Sequence, residues 1–182
     1  MKLFFTLSAV AAFGLLLVAC SQALKSSNPG PMSGAIMKAL LQEIDEEAQL
    51  SANSVVFQIK DRELMLVFDE SADRMRIMAP VAPAGSVSED IYLRMLQANH
   101  DAVLDPRYSV ANDIIWVAFI HKLSTLDKED FLSAIAQCYT AAETFGSSYT
   151  SGALVFGGGD SNAIHEELLE ELEKATDPGK DI

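Results

Sequence analysis

At 182 residues the chain is long enough for one domain with tails and a buried core of ordinary size. Acidic side chains outnumber basic ones 26 to 13, a formal charge of −13. That balance excludes nucleic acid as a partner, since phosphate binding needs clustered Lys and Arg, and it excludes holding an anionic bilayer by charge alone.

Met1-Lys2 opens an apolar run from Leu3 that closes on Leu17-Val18-Ala19-Cys20. The run is short for a spanning helix and its flanks fit a signal peptide. Small residues and then a cysteine at the end of such a run resemble the lipobox of bacterial lipoproteins. The resemblance implies a signal peptide over 1–19, cleavage between Ala19 and Cys20, a lipid on the Cys20 thiol and an acylated new N-terminus. Each buried methylene contributes about 0.8 kcal/mol and one chain holds only reversibly, whereas two or three make a permanent membrane anchor. Ser21 rather than Asp follows the cysteine, which by the logic of that family directs the protein to the outer membrane, facing the periplasm. With Cys20 a thioether, the second cysteine, Cys138, has no partner, so a disulfide scaffold is excluded.

From the lipidated Cys20 to Gly34 the composition is Ser, Pro and Gly, a flexible tether over 20–34 with an r.m.s. span of about 20 Å. Met37, Leu40, Leu41, Ile44 and Ala48 then keep helical spacing. Three alternating runs follow: Val55, Phe57, Ile59; then Leu64, Leu66, Phe68; then Met75, Ile77, Ala79. Short polar turns at 60–62 and 70–73 make them an antiparallel meander, and Arg74 and Arg76 turn one face of its third strand to water. Pro80 and Pro83 end that run. Ser86-Val87-Ser88-Glu89 reads as a capping box for a helix carrying Ile91, Met95, Leu96 and Val103, which Asp105-Pro106 breaks.

A second pair of strands, 107–110 and 114–120, flanks Ala111-Asn112-Asp113. The later one, IIWVAFI, is apolar at every position and so reads as the most deeply buried strand. Asp127 is a helix N-cap, with Leu126 and Phe131 at the spacing of a hydrophobic staple. Phe131, Ile135, Cys138, Tyr139, Ala142 and Phe145 continue the stripe to Gly146. Cys138 on that stripe reads as a small core residue. Residues 147–162 are a Gly- and Ser-rich hinge, and an acidic helix with Ile164, Leu168 and Leu172 on one side follows, needing a surface on its own domain or on a partner.

The fold class is therefore α+β, an antiparallel sheet (three-strand meander plus hairpin) with packed helices in the order α-β-β-β-α-β-β-α. The stretch Leu93-Arg94-Met95-Leu96-Gln97-Ala98-Asn99 stands ahead of Arg107-Tyr108-Ser109-Val110. A strand with Trp116-Val117 follows, then Leu126-Asp127 opening a helix that ends Ala141-Ala142-Glu143. In these features and in element order the domain at 35–146 resembles the YbjN-like domains, which share the type III secretion chaperone-like fold; 147–182 lies outside the resemblance. Chaperones of this shape are acidic homodimers that bind extended segments of other proteins. The resemblance thus implies a protein or peptide partner and admits a homodimer.

No constellation of catalytic groups can be assembled from the sequence. His100, His121 and His165 lack partners at zinc-ligand spacing, and no G-x-S-x-G elbow occurs. Gly157-Gly158-Gly159-Asp160-Ser161 lacks the lysine of a phosphate-binding loop and precedes an acidic helix. Asp69, Glu70 and Asp73 share one turn without Ca²⁺-loop spacing and read as a solvated turn. The reading is a lipid-anchored, non-catalytic envelope protein without metal or cofactor whose domain binds a protein segment. The alternative is an envelope hydrolase whose residues meet only in three dimensions.

Overall fold

The computed structural model describes residues 32–146, 160–177 and 179. The signal segment, Cys20 and residues 147–159 of the hinge expected over 147–162 lie outside them, and the hinge's last three residues are helical instead. Met32 is already part of the core, and Ser33 opens the first helix, α1 (Gly34–Ile44), where its hydroxyl accepts the Ile36 N–H at 3.3 Å. Met37, Leu40 and Leu41 turn inward. Ala48 lies beyond the helix, because Asp45 ends it and accepts the Glu47 and Gln58 N–H groups at 3.0 and 2.8 Å.

Four strands follow: β1 (Gln49–Leu50), β2 (Ser54–Ile59), β3 (Arg62–Asp69) and β4 (Arg74–Pro83). The last three are the expected meander, with two-residue β1 added outside β2. Lys60 and Asp73 take left-handed backbone in the two tight turns, φ 54° and 52°. Then come α2 (Glu89–Asp101), β5 (Arg107–Ala111) and β6 (Ile114–His121). Asn112 and Asp113 both have φ near +55° (51° and 60°), the conformation that a two-residue hairpin turn requires and that Asn and Asp tolerate. Two further helices, α3 (Lys128–Glu143) and α4 (Asp160–Ala175), complete the described chain. The sheet is antiparallel throughout, ordered β1-β2-β3-β4-β6-β5. The architecture is the expected α+β one, in the expected order.

Two local expectations are corrected. Pro80 and Pro83 lie inside β4 instead of ending it, with a register irregularity between Pro80 and Ala82. The ladder from β3 stops at Met78, so beyond it β4 has a strand partner on one side only, where a residue without an N–H is tolerated. On the vacated side Arg62 donates to the Pro80 carbonyl at 3.4 Å. The capping box is the second correction: Ser88, not Ser86, caps α2, and it does so without a side-chain hydrogen bond. The Ser86 hydroxyl instead donates to the Pro83 carbonyl at 2.7 Å.

The core lies on one side of the sheet. Phe57, Leu66, Ile77 and Val117, with their alternate neighbours, meet α1 and α3. Asp127 caps α3 by accepting the Asp130 N–H at 2.8 Å, and Leu126 and Phe131 are both buried, as a staple requires. Cys138 packs fully buried against the Ile77 carbonyl, 3.7 Å from its Sγ. The acidic helix docks on its own domain. Lys128 at the start of α3 donates to the Thr176 carbonyl beyond the end of α4, and His165 near the start of α4 lies beside the Ala136 backbone. The two helices are therefore antiparallel. Leu168 and Leu172 are buried in the contact, each contributing about 1.5–3 kcal/mol, and Lys60 pairs with Glu171 at 3.4 Å. Among the described residues no helix is long and apolar enough to cross a membrane.

Side chains from helix ends engage one backbone position near each margin of the sheet. Asp45 takes the Gln58 N–H of β2. Asn99, in the last turn of α2, donates to the Tyr108 carbonyl of β5 at 3.1 Å and accepts its N–H at 2.7 Å. These are the groups that would otherwise pair with an incoming strand.

Candidate functional site

Side chains alternate across a strand, so covering one face of the sheet leaves the other to be explained. On β6 only Ile115, Val117 and Phe119 are buried, which corrects the expectation that this strand is buried throughout. Trp116 and Ala118 are half-buried and Ile120 is 56% exposed, because no described element lies over that side. The registers place these residues beside others of the same kind. Val56, Met65, Met78 and Ala118 form one row across four strands, and Val67, Arg76 and Ile120 the next. Pro80 sits opposite Trp116. All the apolar members are half-buried or exposed. The result is an open, mostly apolar sheet face, the kind of surface that marks an interaction site in a folded protein. Water on the third strand's outer face, expected from Arg74 and Arg76, holds at that end; Met78 and Pro80 continue the same face as apolar surface.

One end of this face is basic. Arg74 and Arg76 project from β4, and Lys122 follows Ile120 on the same side by alternation. Three carboxylates lie in the adjoining β3–β4 turn, and each is already committed. Asp69 accepts from the Ser71 hydroxyl and the Ser71 and Ala72 N–H groups; Glu70 accepts the Gly34 N–H at 2.8 Å. Asp73 accepts the Ser124 hydroxyl and N–H at 2.7 and 2.8 Å. The Ser71 hydroxyl holds Asp69 below the usual carboxylate range, and the Ser124 hydroxyl does the same for Asp73. The turn is thus a hydrogen-bonded clasp between elements, more than the solvated turn its composition implied.

Elsewhere among the described residues the cations have partners. Lys60, Arg62 and Lys174 pair with Glu171, Glu143 and Glu170. Lys38, Arg107 and Lys128 donate to backbone carbonyls, and Arg94 donates to Gln97. Arg74 donates to the carbonyl of its neighbour Asp73 at 2.8 Å. Arg76 makes neither an ion pair nor a side-chain hydrogen bond with the described residues. A second apolar feature lies on α2, where Leu93 and Leu96, three apart and so on one helix face, are 56% and 66% exposed.

The histidines are not brought together. His121 stacks on Phe119 at 5.9 Å, His100 is exposed at the end of α2, and His165 is on α4. Burial lowers the pKa of His165 and pushes the Cys138 thiol far up, which removes the thiolate that nucleophilic chemistry needs. Among the described residues no group of three or more His, Cys, Asp or Glu is placed to hold a metal ion. Cys20, the proposed lipid attachment point, and Gly157 to Gly159 lie outside the described residues. The open face itself was missed at the sequence level. Its signal was that β3 (Met65, Val67) and β6 (Trp116, Ala118, Ile120) are apolar in both phases of their alternation.

No family model and no curated protein matches the sequence. Solved structures do. A chain of the ExsC–ExsE complex superposes with a TM-score of 0.53 at 14% identity, covering 67% of this chain and 99% of that one. A chain of the HopA1–SchA chaperone–effector complex gives a TM-score of 0.47 at 12% identity over 59% of this chain and 91% of that one. At such identities the likeness of the first speaks for the fold alone, an α+β one with its elements in the order expected.

Proposed function

We propose that the protein is a non-catalytic binding module that holds a segment of another protein against the open face of its sheet. The observation that carries this reading is the apolar row Val56, Met65, Met78 and Ala118, left uncovered beside Trp116 and Ile120. Fold likeness to a chain solved in the ExsC–ExsE complex supports it. In the same reading the domain is YbjN-like, and a lipid on Cys20, exposed by cleavage after Ala19, tethers it to the periplasmic side of the outer membrane. Leu93 and Leu96 on α2 give a second copy a surface for a homodimer. The test places a photo-crosslinking amino acid at Ala118 of the full-length protein in cells, with Glu129 on the exposed start of α3 as control. Discrete adducts from Ala118, absent from Glu129 and lost on Met78→Glu, are expected. No adduct from Ala118, or the same adducts from both positions, refutes the proposal. The anchor is tested separately: labelled palmitate marks the wild type and not Cys20→Ser, and equal label on both refutes it.

A further inference from the structure

The binding reading leaves open what kind of segment the face accepts. An apolar surface alone selects little beyond apolar side chains, but this one carries Arg74, Arg76 and Lys122 at one end, beside the carboxylates of the β3–β4 turn. Arg76 stands in one row with Val67 and Ile120, so its guanidinium is next to the apolar stripe. Arg74 and Lys122 are its neighbours. Although the chain has twice as many acids as bases, Arg76 forms no ion pair with the described residues. The acids of the adjoining turn have hydrogen-bond partners of their own, Asp69 in Ser71 and Ala72, Asp73 in Ser124 and Glu70 in Gly34, and Asp73 lies near Arg74 and Lys122 but forms no ion pair with Arg76. With those oxygens engaged and no ion pair to Arg76 among the described residues, its fork of donors is open to a carboxylate from outside.

We infer that the segment docked on this face is a stretch of a partner protein carrying Asp or Glu beside its apolar side chains, with the carboxylates at the Arg74–Arg76–Lys122 end. The inference rests on the binding reading and adds the charge of the partner to it. An anionic lipid surface is a poorer match, since three cations on a chain of net charge −13 give little attraction to a bilayer. Arg107 stands opposite Ala118 at the β5 margin of the face, but its guanidinium already donates to the Leu104 and Pro106 carbonyls; the three cations at the other end give the densest positive charge, which sets the segment's register along the face.

The test measures fluorescence anisotropy of two synthetic peptides with the full-length protein, one of Val-Glu-Val-Ser repeats and one of Val-Gln-Val-Ser repeats. The Glu peptide is expected to bind about fivefold or more tightly than the Gln peptide at low salt, and the gap closes at high salt. Arg76→Gln narrows the gap and leaves the Gln peptide unchanged. Met78→Glu abolishes both. Equal affinities, both lost on Met78→Glu, overturn the carboxylate selection while the binding reading stands. Binding of neither peptide, indifference to Arg76→Gln, or capture by anionic phosphatidylglycerol vesicles in preference to the Glu peptide also overturns it.

Discussion

Replacing Gly34 by Ala sets two effects of known size against each other. Gly34 is the first residue of α1, in helical backbone, where Ala is the better helix former by at most about 1 kcal/mol. The added Cβ, however, would lie 2.2 and 2.5 Å from Cε2 and Cζ of Phe68. That ring cannot simply swing away. It is buried, the Lys38 ammonium sits 5.4 Å from its centroid, and Glu70 next to it holds the Gly34 N–H. Overpacking of this kind costs about 1–3 kcal/mol. Steric cost therefore exceeds propensity, and Gly34→Ala should destabilise by about 1–2 kcal/mol. That lowers the melting temperature by about 3–8 °C for a domain of this size. Thermal and urea unfolding of the full-length protein measure it. In a Phe68→Leu background the alanine has room, so its penalty should shrink by about 1 kcal/mol. A neutral or stabilising Gly34→Ala, or a penalty that is the same in both backgrounds, refutes the reasoning.

Asn99→Ala strips both bonds from the Tyr108 backbone at the margin of β5; a loss of about 1–3 kcal/mol is expected, with faster hydrogen exchange at the Tyr108 amide. Unchanged exchange there would show that water replaces the side chain without cost. His165 has its folded pKa lowered by burial, so the unfolded chain takes up the proton first. Stability is therefore full above about pH 6.5 and falls as pH drops from there through the folded value, and His165→Gln should flatten that fall in melts between neutral and mildly acid pH. Equal losses in both proteins refute the assignment. Cys138, fully buried and with its pKa pushed up, should resist a thiol reagent in the native state and react only in denaturant; rapid native labelling refutes its placement in the core.

What the sequence made legible was local. The Asp127 cap, the Asn112-Asp113 turn and the alternation of β2 to β4 each depend on residues within a few positions of one another. The errors arose where a distant element decides. Whether the outer side of IIWVAFI is covered depends on what packs over it, which no property of Trp116 or Ile120 reveals. A proline ends a strand only where a neighbour needs the N–H it lacks, and beyond Met78 β3 has already left. Ser86 and Glu89 have the capping-box spacing, yet the Pro83 carbonyl competes successfully for the serine. The surface under Leu168 and Leu172 is on α3, far back in the chain. The openness of Arg76 is harder still to read, because it depends on where Ser71 and Ser124 hold two aspartates.

The hydrogen bonds that Asp45 and Asn99 make near the sheet margins constrain how another chain is read. A strand added to a sheet edge is held mainly through its peptide groups, and that grip accepts nearly any sequence in an extended form. With those groups on Gln58 and Tyr108 already paired, a visitor lying across the face must offer side chains of the right kind. Its backbone direction, and even whether it is helical or extended, matters less than the spacing of those side chains. Selectivity then resides in the visitor's composition, so unrelated sequences of like pattern compete for one surface, while a single misplaced lysine at the basic end suffices to turn one away.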